Sequence, residues 1–190
     1  MQEFENKLPN TNIIILSHEN EWKYVKELLI HLESSLPEDV NIFSMKDIAA
    51  SDESINKLWN ELQSARMVLT VISSHFLADD ILYRLRQDAI ELHNKDMLEA
   101  VQILARSVYN PQVASKREIK LMPKIPLSTH QDRDAAYTQI VDFVLDKIDL
   151  IKIKYELLRK QLKIQALEKL LRDKGLIDLC CLFLCFTVVP

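Results

Sequence analysis

The stretch MVLTVISSHFLADDILYRLRQDAIEL, residues 67–92, decides the fold. It opens with Met67–Ile72, which is apolar except for Thr70, as is typical of a strand buried on both faces of a parallel sheet. After the polar turn Ser73-Ser74-His75, an amphipathic helix begins with the capping residues Asp79 and Asp80. Its predicted inner face has helical spacing and consists of Ile81, Leu85, Ala89 and Leu92. Open α/β sheets place ligand sites at such strand-to-helix junctions, at the carboxyl ends of the strands.

The rest of the chain repeats this alternation of strand and helix. Further strands are predicted at residues 12–16, 40–43, 100–109 and 125–128, the last at an edge because it contains Pro126 and follows Pro123. Helices are predicted over residues 19–36, from Ser51 and from Asp132. The alternation predicts an α/β fold of flavodoxin-like type, in which a five-stranded parallel sheet is covered by helices on both faces.

The composition excludes several large enzyme classes. Gly175 is the single glycine of the chain, whereas Walker loops, G-x-G-x-x-G fingerprints and G-x-S-x-G nucleophile elbows all need glycine. The three cysteines lie near the carboxyl terminus, which excludes a disulfide framework across the fold. The five histidines show no metal-ligand spacing, so no metal site is predicted. The polar start MQEFENKLPN is unlike a signal peptide, which favours a cytoplasmic location.

The charge is divided unevenly and indicates four parts of the chain. Residues 1–11 are a polar segment, residues 12–148 a domain, residues 149–174 a basic amphipathic helix and residues 175–190 an apolar tail. The basic helix holds eight Lys and Arg against four Asp and Glu, a charge of +4. Since the chain carries −4 and Asp178 adds one negative charge, residues 1–148 carry −7. This acidic balance argues against nucleic acid binding by the main domain.

The basic helix and the tail each leave alternatives open. Leu150, Leu157, Ile164 and Leu171 are seven residues apart, Ile153 and Leu167 lie between them, and Lys160 interrupts the series. This pattern predicts either a coiled coil or docking on the domain, since Ile151, Tyr155, Leu158 and Leu162 form a second apolar stripe. The tail has three interpretations: a packed segment, a membrane or acylated anchor through Cys180, Cys181 and Cys185, or an end left by truncation.

Four segments, taken in order, resemble a Toll/interleukin-1 receptor (TIR) domain of the bacterial type. They are IIILSHENEW at the first strand and helix, FSMKDIAASDES after the second strand, VISSHFLADD after the third, and IPLSTHQDRDAAYTQI at the fifth strand and last helix. The resemblance covers residues 12–148. It implies a protein that transmits a signal by self-association or one that cleaves NAD at the nicotinamide-ribose bond.

The position of the family's catalytic glutamate separates these two activities. In TIR enzymes this glutamate lies on the helix after the third strand, where its carboxylate engages the ribose hydroxyls and stabilises a cationic transition state. Here the matching position holds Arg86, or Leu85 with a one-residue slip, and neither side chain can supply a negative charge. Asp88 and Glu91 are the nearest acids and are the catalytic candidates if the protein is an enzyme.

The sequence therefore predicts a TIR-like interaction module for signal transduction or defence signalling, whose partners are other TIR domains in a homo-oligomer. The alternative is an NAD glycohydrolase activated by oligomerisation, and NAD enters only there, as a substrate. No cofactor is predicted. The loop after the second strand keeps the family's Lys-Asp-Ile pattern but has Ala49-Ala50 where Pro-Gly is common. The predicted binding and assembly residues are Ser17, His18, Ser44, Lys46, Asp47, Ile48 and Ser73.

Overall fold

Five parallel strands form one sheet at the centre of the first unit. The computed structural model describes residues 11–45, 52–109 and 117–173. Its strands are β1 (Thr11–Ser17), β2 (Val40–Ser44), β3 (Met67–Ile72), β4 (Glu99–Leu104) and β5 (Lys120–Met122), in the spatial order β2-β1-β3-β4-β5. All four neighbouring pairs are parallel. The predicted flavodoxin-like α/β fold is confirmed.

Five helices accompany the strands in the described part of the chain. They are α1 (Trp22–Glu33), α2 (Asp52–Ser64), α3 (Ser74–Ala78), α4 (Asp80–Asn94) and α5 (Arg133–Asp173), and a 3₁₀ turn at Glu19–Glu21 precedes α1. Asp132 caps α5 as predicted, because its Oδ1 accepts a hydrogen bond from the Ala135 amide at 3.0 Å. The chain divides into two units, Met1–Ile148 and Asp149–Pro190, and each is described by itself.

The core explains why β1 and β3 read as continuous apolar runs. Ile14 and Leu16 of β1 join a buried cluster that also contains Leu58 of α2 and Leu85 of α4. Because successive side chains alternate across a strand, the equally buried Ile13 and Ile15 face the opposite side of the sheet. A strand with core on both sides needs apolar residues at every position. On the helices of the first unit, the buried Tyr137 hydroxyl of α5 donates to the Tyr24 carbonyl of α1 at 3.3 Å.

The last two strands differ from the prediction. The fifth strand is Lys120–Met122 and not residues 125–128, where the Ile125 side chain is largely exposed. Pro123 and Pro126 lie on either side of Ile125 and lack the backbone N–H that strand pairing needs, so β5 ends before them. The fourth strand ends at Leu104 instead of continuing to residue 109, since the amides of Ala105 and Arg106 both turn to the Ile72 carbonyl.

The junction after β3 also differs in detail. Residues 73–75 are not a simple turn, because the Ser73 hydroxyl accepts the Phe76 amide at 3.1 Å and caps the short helix α3. Asp79 then caps α4 as predicted and accepts the amides of Ile81 and Leu82. The buried face of α4 is shifted from the prediction: Ile81 is 44% exposed, and the residues enclosed are Leu82, Leu85, Arg86, Ala89, Ile90 and His93.

Arg117, in the segment that leads into β5, contacts the end of α4 and the start of β4. The Arg117 guanidinium donates to the His93 carbonyl at 2.6 Å and to the Glu99 carboxylate at 2.8 Å. It also lies 2.9 Å from the carboxylate of Asp96, a residue with a positive φ of 61°. The buried His93 ring accepts the Ala100 amide through Nδ1 at 3.2 Å. These contacts fix the end of α4 against the start of β4.

Two predictions of the sequence reach beyond these residues. The tail at residues 175–190 and the N-terminal segment, apart from Thr11, lie outside the described part of the chain. Within the described ranges, no helix has both the length and the apolar character needed to cross a membrane.

Candidate functional site

Polar side chains from three chain segments meet at the carboxyl edge of the sheet, where the fold places ligand sites. His18 and Glu21 follow β1, Ser73 and His75 follow β3, and Arg106 follows β4. We name these five residues the edge cluster. The parallel register brings the segments together, because β1 and β4 both pair with β3.

Glu21 is the centre of the edge cluster. Its side chain is completely buried, and its two carboxylate oxygens accept hydrogen bonds from Arg106 Nε at 3.0 and 2.9 Å. The Nδ1 atom of His75 lies 3.3 Å from Oε1, and the Ser73 hydroxyl also bonds to the carboxylate. One buried acid therefore joins the segments that follow β1, β3 and β4.

The surroundings of Glu21 keep it ionised. Burial by itself disfavours the charged form, but the hydrogen bonds from Arg106, His75 and Ser73 and the positive charge of Arg106 outweigh it. The pKa of Glu21 consequently lies below its ordinary value. The same contacts raise the pKa of Arg106, whose side chain is 41% exposed. The cluster contains a fixed anion inside and its countercharge at the surface.

The two histidines form the outer layer of the edge cluster. Their rings stack with centroids 5.4 Å apart and an interplanar angle of 24°. His18 Nδ1 accepts the Asn20 amide at 3.2 Å and caps the 3₁₀ turn that places Glu21. His75 directs Nδ1 towards Glu21, and its side chain is half exposed. A histidine oriented by a carboxylate can act as a general base through its other ring nitrogen, although Arg106 already neutralises this carboxylate.

Arg86, which the sequence resemblance aligns with the TIR glutamate, lies on the buried face of α4. Only 5% of it is exposed, and this burial lowers its pKa from the ordinary value, while the nearby Tyr83 acts in the opposite direction. Arg86 is thus enclosed with the buried residues of α4 and has little surface open to a ligand.

The two alternative catalytic acids lie away from the carboxyl edge of the sheet. Asp88 and Glu91 line a groove of about 210 Å³ between α2 and α4, together with Trp59, Leu62, Gln63, Leu92 and Lys95. Burial, and then the charge of Glu91, raise the pKa of Asp88. At ~1.5 Å per residue, Asp88 lies about 12 Å along α4 from Asp80, the residue at which the helix leaves the carboxyl edge.

The predicted binding and assembly residues are only partly brought together. Ser73 bonds to Glu21, and His18 stacks on His75. Ser17 is the buried last residue of β1, and Ser44 is the buried last residue of β2, where it pairs with Ile15. Lys46, Asp47 and Ile48 lie outside the described residues.

Sequence reasoning did not identify Glu21 or Arg106. Glu21 stands in the acidic run Glu19-Asn20-Glu21-Trp22, which resembles the solvated first turn of a helix. Arg106 stands inside the apolar run that was predicted as one long fourth strand. A charged residue in such a run is itself a signal that the strand has ended, because an unpaired charge is costly in a core.

Together these features define an α/β domain of flavodoxin-like type with a polar cluster at the carboxyl edge. No model of a known protein family matches the sequence, and no curated protein matches it either. Among the residues that the structure describes, no group of three or more His, Cys, Asp or Glu is arranged to hold a metal ion.

Proposed function

We propose that this protein is a TIR-like interaction module that acts in signal transduction or defence signalling through homotypic assembly, without cleaving NAD. The observation that carries the proposal is the buried Arg86 on α4, at the position where the family's enzymes have their glutamate. An arginine cannot supply the negative charge with which the family's glutamate stabilises the cationic transition state. The other TIR domains that the module would bind are further copies of this chain.

The edge cluster supports the same proposal. Glu21 is the acid that the fold brings to the carboxyl edge, yet its side chain is fully enclosed and already accepts bonds from Arg106, His75 and Ser73. A carboxylate in this state has little capacity left for ribose hydroxyls, because each new bond would replace an existing one. Glu21 therefore connects the segments that follow β1, β3 and β4 and stabilises the fold.

The positions of Asp88 and Glu91 give the enzymatic alternative little support. Their groove opens between α2 and α4, along the body of the helices. An NAD glycohydrolase that used either acid would need its substrate there and not at the strand ends, where α/β sheets bind ligands.

Nicotinamide release tests the catalytic part of the proposal. Concentrated full-length protein is incubated with NAD, and free nicotinamide is followed by chromatography beside the variants Asp88→Asn and Glu91→Gln. We expect all three proteins to release nicotinamide at the buffer rate. Turnover by the original protein that disappears in either variant would replace this proposal by the glycohydrolase.

Sedimentation velocity over a range of protein concentrations tests the assembly part. We expect the mass of the full chain to rise with concentration, since homotypic assembly obeys mass action. A chain that remains monomeric at every concentration would contradict it.

A further inference from the structure

The helical part of the second unit carries a row of exposed apolar side chains. Over residues 149–173, α5 presents eight Leu and Ile side chains that are each 50–60% exposed. Three of them, Leu158, Leu162 and Leu170, lie outside the row. The other five recur at alternating intervals of three and four residues, apart from the interruption at Lys160: Leu150, Ile153, Leu157, Ile164 and Leu167. We name these five residues the apolar strip. They occupy the a and d positions of a heptad whose a positions are 150, 157 and 164.

The strip has the spacing of a coiled-coil seam. Residues at a and d return to one side of the helix every 3.5 residues on average, and two such helices wind around each other so that this side stays covered. From Leu150 to Leu167 the strip is about 26 Å long at ~1.5 Å per residue. An exposed apolar patch of this kind often marks an interaction site.

The charges beside the strip indicate the partner. With a at 150, the flanking g positions hold Asp149, Glu156 and Lys163, and the flanking e positions hold Lys154, Gln161 and Glu168. In a parallel pair, each g residue faces the e residue five positions later on the other helix. Asp149 then faces Lys154 of a second copy, and Lys163 faces Glu168. The pair between them, Glu156 with the uncharged Gln161, is neither complementary nor repulsive, so the flanks of the strip suit a second copy of the same helix.

We propose that two copies of this protein associate through the apolar strip as a parallel, in-register coiled coil. This inference rests on the proposed function, since it names the surface through which homotypic assembly occurs. Lys160 takes the one d position between Ile153 and Leu167 and meets its counterpart in the same layer. A single polar residue in a seam weakens the pairing but restricts the register and the number of strands.

A pair of adjacent leucines supplies a matched test in the full chain. Leu157 lies in the strip, whereas Leu158 occupies a b position, outside the proposed seam, and the two are exposed to a similar extent, 56% and 50%. Sedimentation equilibrium is measured for the original protein, Leu157→Glu and Leu158→Glu. We expect Leu157→Glu to raise the dimer dissociation constant by about 100-fold or more, because two seam leucines are lost per dimer. Leu158→Glu should change it less than about threefold.

A charge exchange tests the orientation of the two helices. Lys163→Glu should weaken the dimer because it places two glutamates against the Glu168 side chains, and adding Glu168→Lys should restore it. Residues 163 and 168 do not face each other within one helix, so restoration requires pairing between copies. Lys160→Leu should tighten the dimer. A double variant that stays as weak as Lys163→Glu would overturn the parallel, in-register arrangement.

The outcomes separate the inference from the proposed function. If the full chain associates and Leu157→Glu and Leu158→Glu affect it equally, the strip is not the interface, while homotypic assembly stands. If the original protein is monomeric at all concentrations, both are overturned. Far-ultraviolet circular dichroism of each variant at equal concentration confirms that the helices remain formed.

Discussion

Removing the countercharge of Glu21 should cost more stability than removing Glu21 itself. In Arg106→Met the fully buried carboxylate loses its cationic partner and keeps the contacts to His75 and Ser73. The folded protein can escape an uncompensated charge by binding a proton at Glu21. At pH 7 this costs about 3.7 kcal/mol, from 1.36 kcal/mol per pH unit and an ordinary glutamate pKa of ~4.3. We therefore expect Arg106→Met to lower the free energy of unfolding by about 3–4 kcal/mol.

The reverse change is milder because the two partners differ in exposure. In Glu21→Gln the Arg106 guanidinium, 41% exposed, can turn to water and recover its hydration. The loss then consists mainly of hydrogen bonds to a charged acceptor, about 1–2 kcal/mol after solvent screening. The double variant should lose less unfolding free energy than the two single variants lose together, since both changes remove the same contact.

The pH dependence gives the sharpest form of this prediction. Because the pKa of Glu21 is lowered in the folded protein, the pair contributes stability above the ordinary pKa of glutamate and loses it as pH falls through the folded-state pKa. The cost of protonating Glu21 in Arg106→Met shrinks by 1.36 kcal/mol per pH unit, to about 1 kcal/mol at pH 5. The difference between the original protein and Arg106→Met should narrow accordingly.

Urea unfolding at pH 7 and pH 5, followed by the fluorescence of Trp22 and Trp59, measures these differences. Arg84→Met, at an exposed arginine of α4, is the control and should change stability by less than about 0.5 kcal/mol. Equal costs for Arg106→Met and Glu21→Gln at pH 7 would refute the reasoning. So would a cost of Arg106→Met that is the same at both pH values.

Two further predictions concern α4, and the same urea measurements check both. Asp79→Ala should cost about 1 kcal/mol, because Asp79 accepts two amides at the start of the helix, and Asp80→Ala should cost less; equal costs would contradict the cap. Leu85→Ala should lower the free energy of unfolding by about 2–5 kcal/mol, because it leaves a cavity in the core. Ile81→Ala should lower it by less than about 1 kcal/mol, because Ile81 is 44% exposed. The opposite ranking would support the inner face predicted from the sequence.

The sequence predicted the parts of the fold that depend on local patterns. The apolar run at Met67–Ile72 coincides with β3, and Asp79 and Asp132 cap helices as expected. These features follow from short-range chemistry, since a doubly buried strand must be apolar throughout and a helix start needs an acceptor for its free amides. The prediction of the fifth strand was wrong because residues 120–122 form a strand through pairing with β4 and have no apolar pattern of their own.

The candidate site was predictable in position but not in composition. Parallel strands place their polar carboxyl ends together, so the edge beside Ser17 and Ser73 could be expected from the alternation of elements. Its central acid could not, because Glu21 and Arg106 are 85 residues apart in the chain. Glu21 lies in the segment IIILSHENEW but is only one acid of an acidic run there, and nothing local to Arg106 identifies its partner.

By itself, the sequence determined the class of fold, the lack of glycine-dependent phosphate-binding motifs in these 190 residues and the heptad spacing of residues 149–174. Only the tertiary structure decided that Arg86 is enclosed on the core side of α4 and that Glu21 is buried against Arg106. The physical reason is that charge and periodicity are properties of the residues in order. Burial and pairing depend instead on which distant segments the sheet brings together.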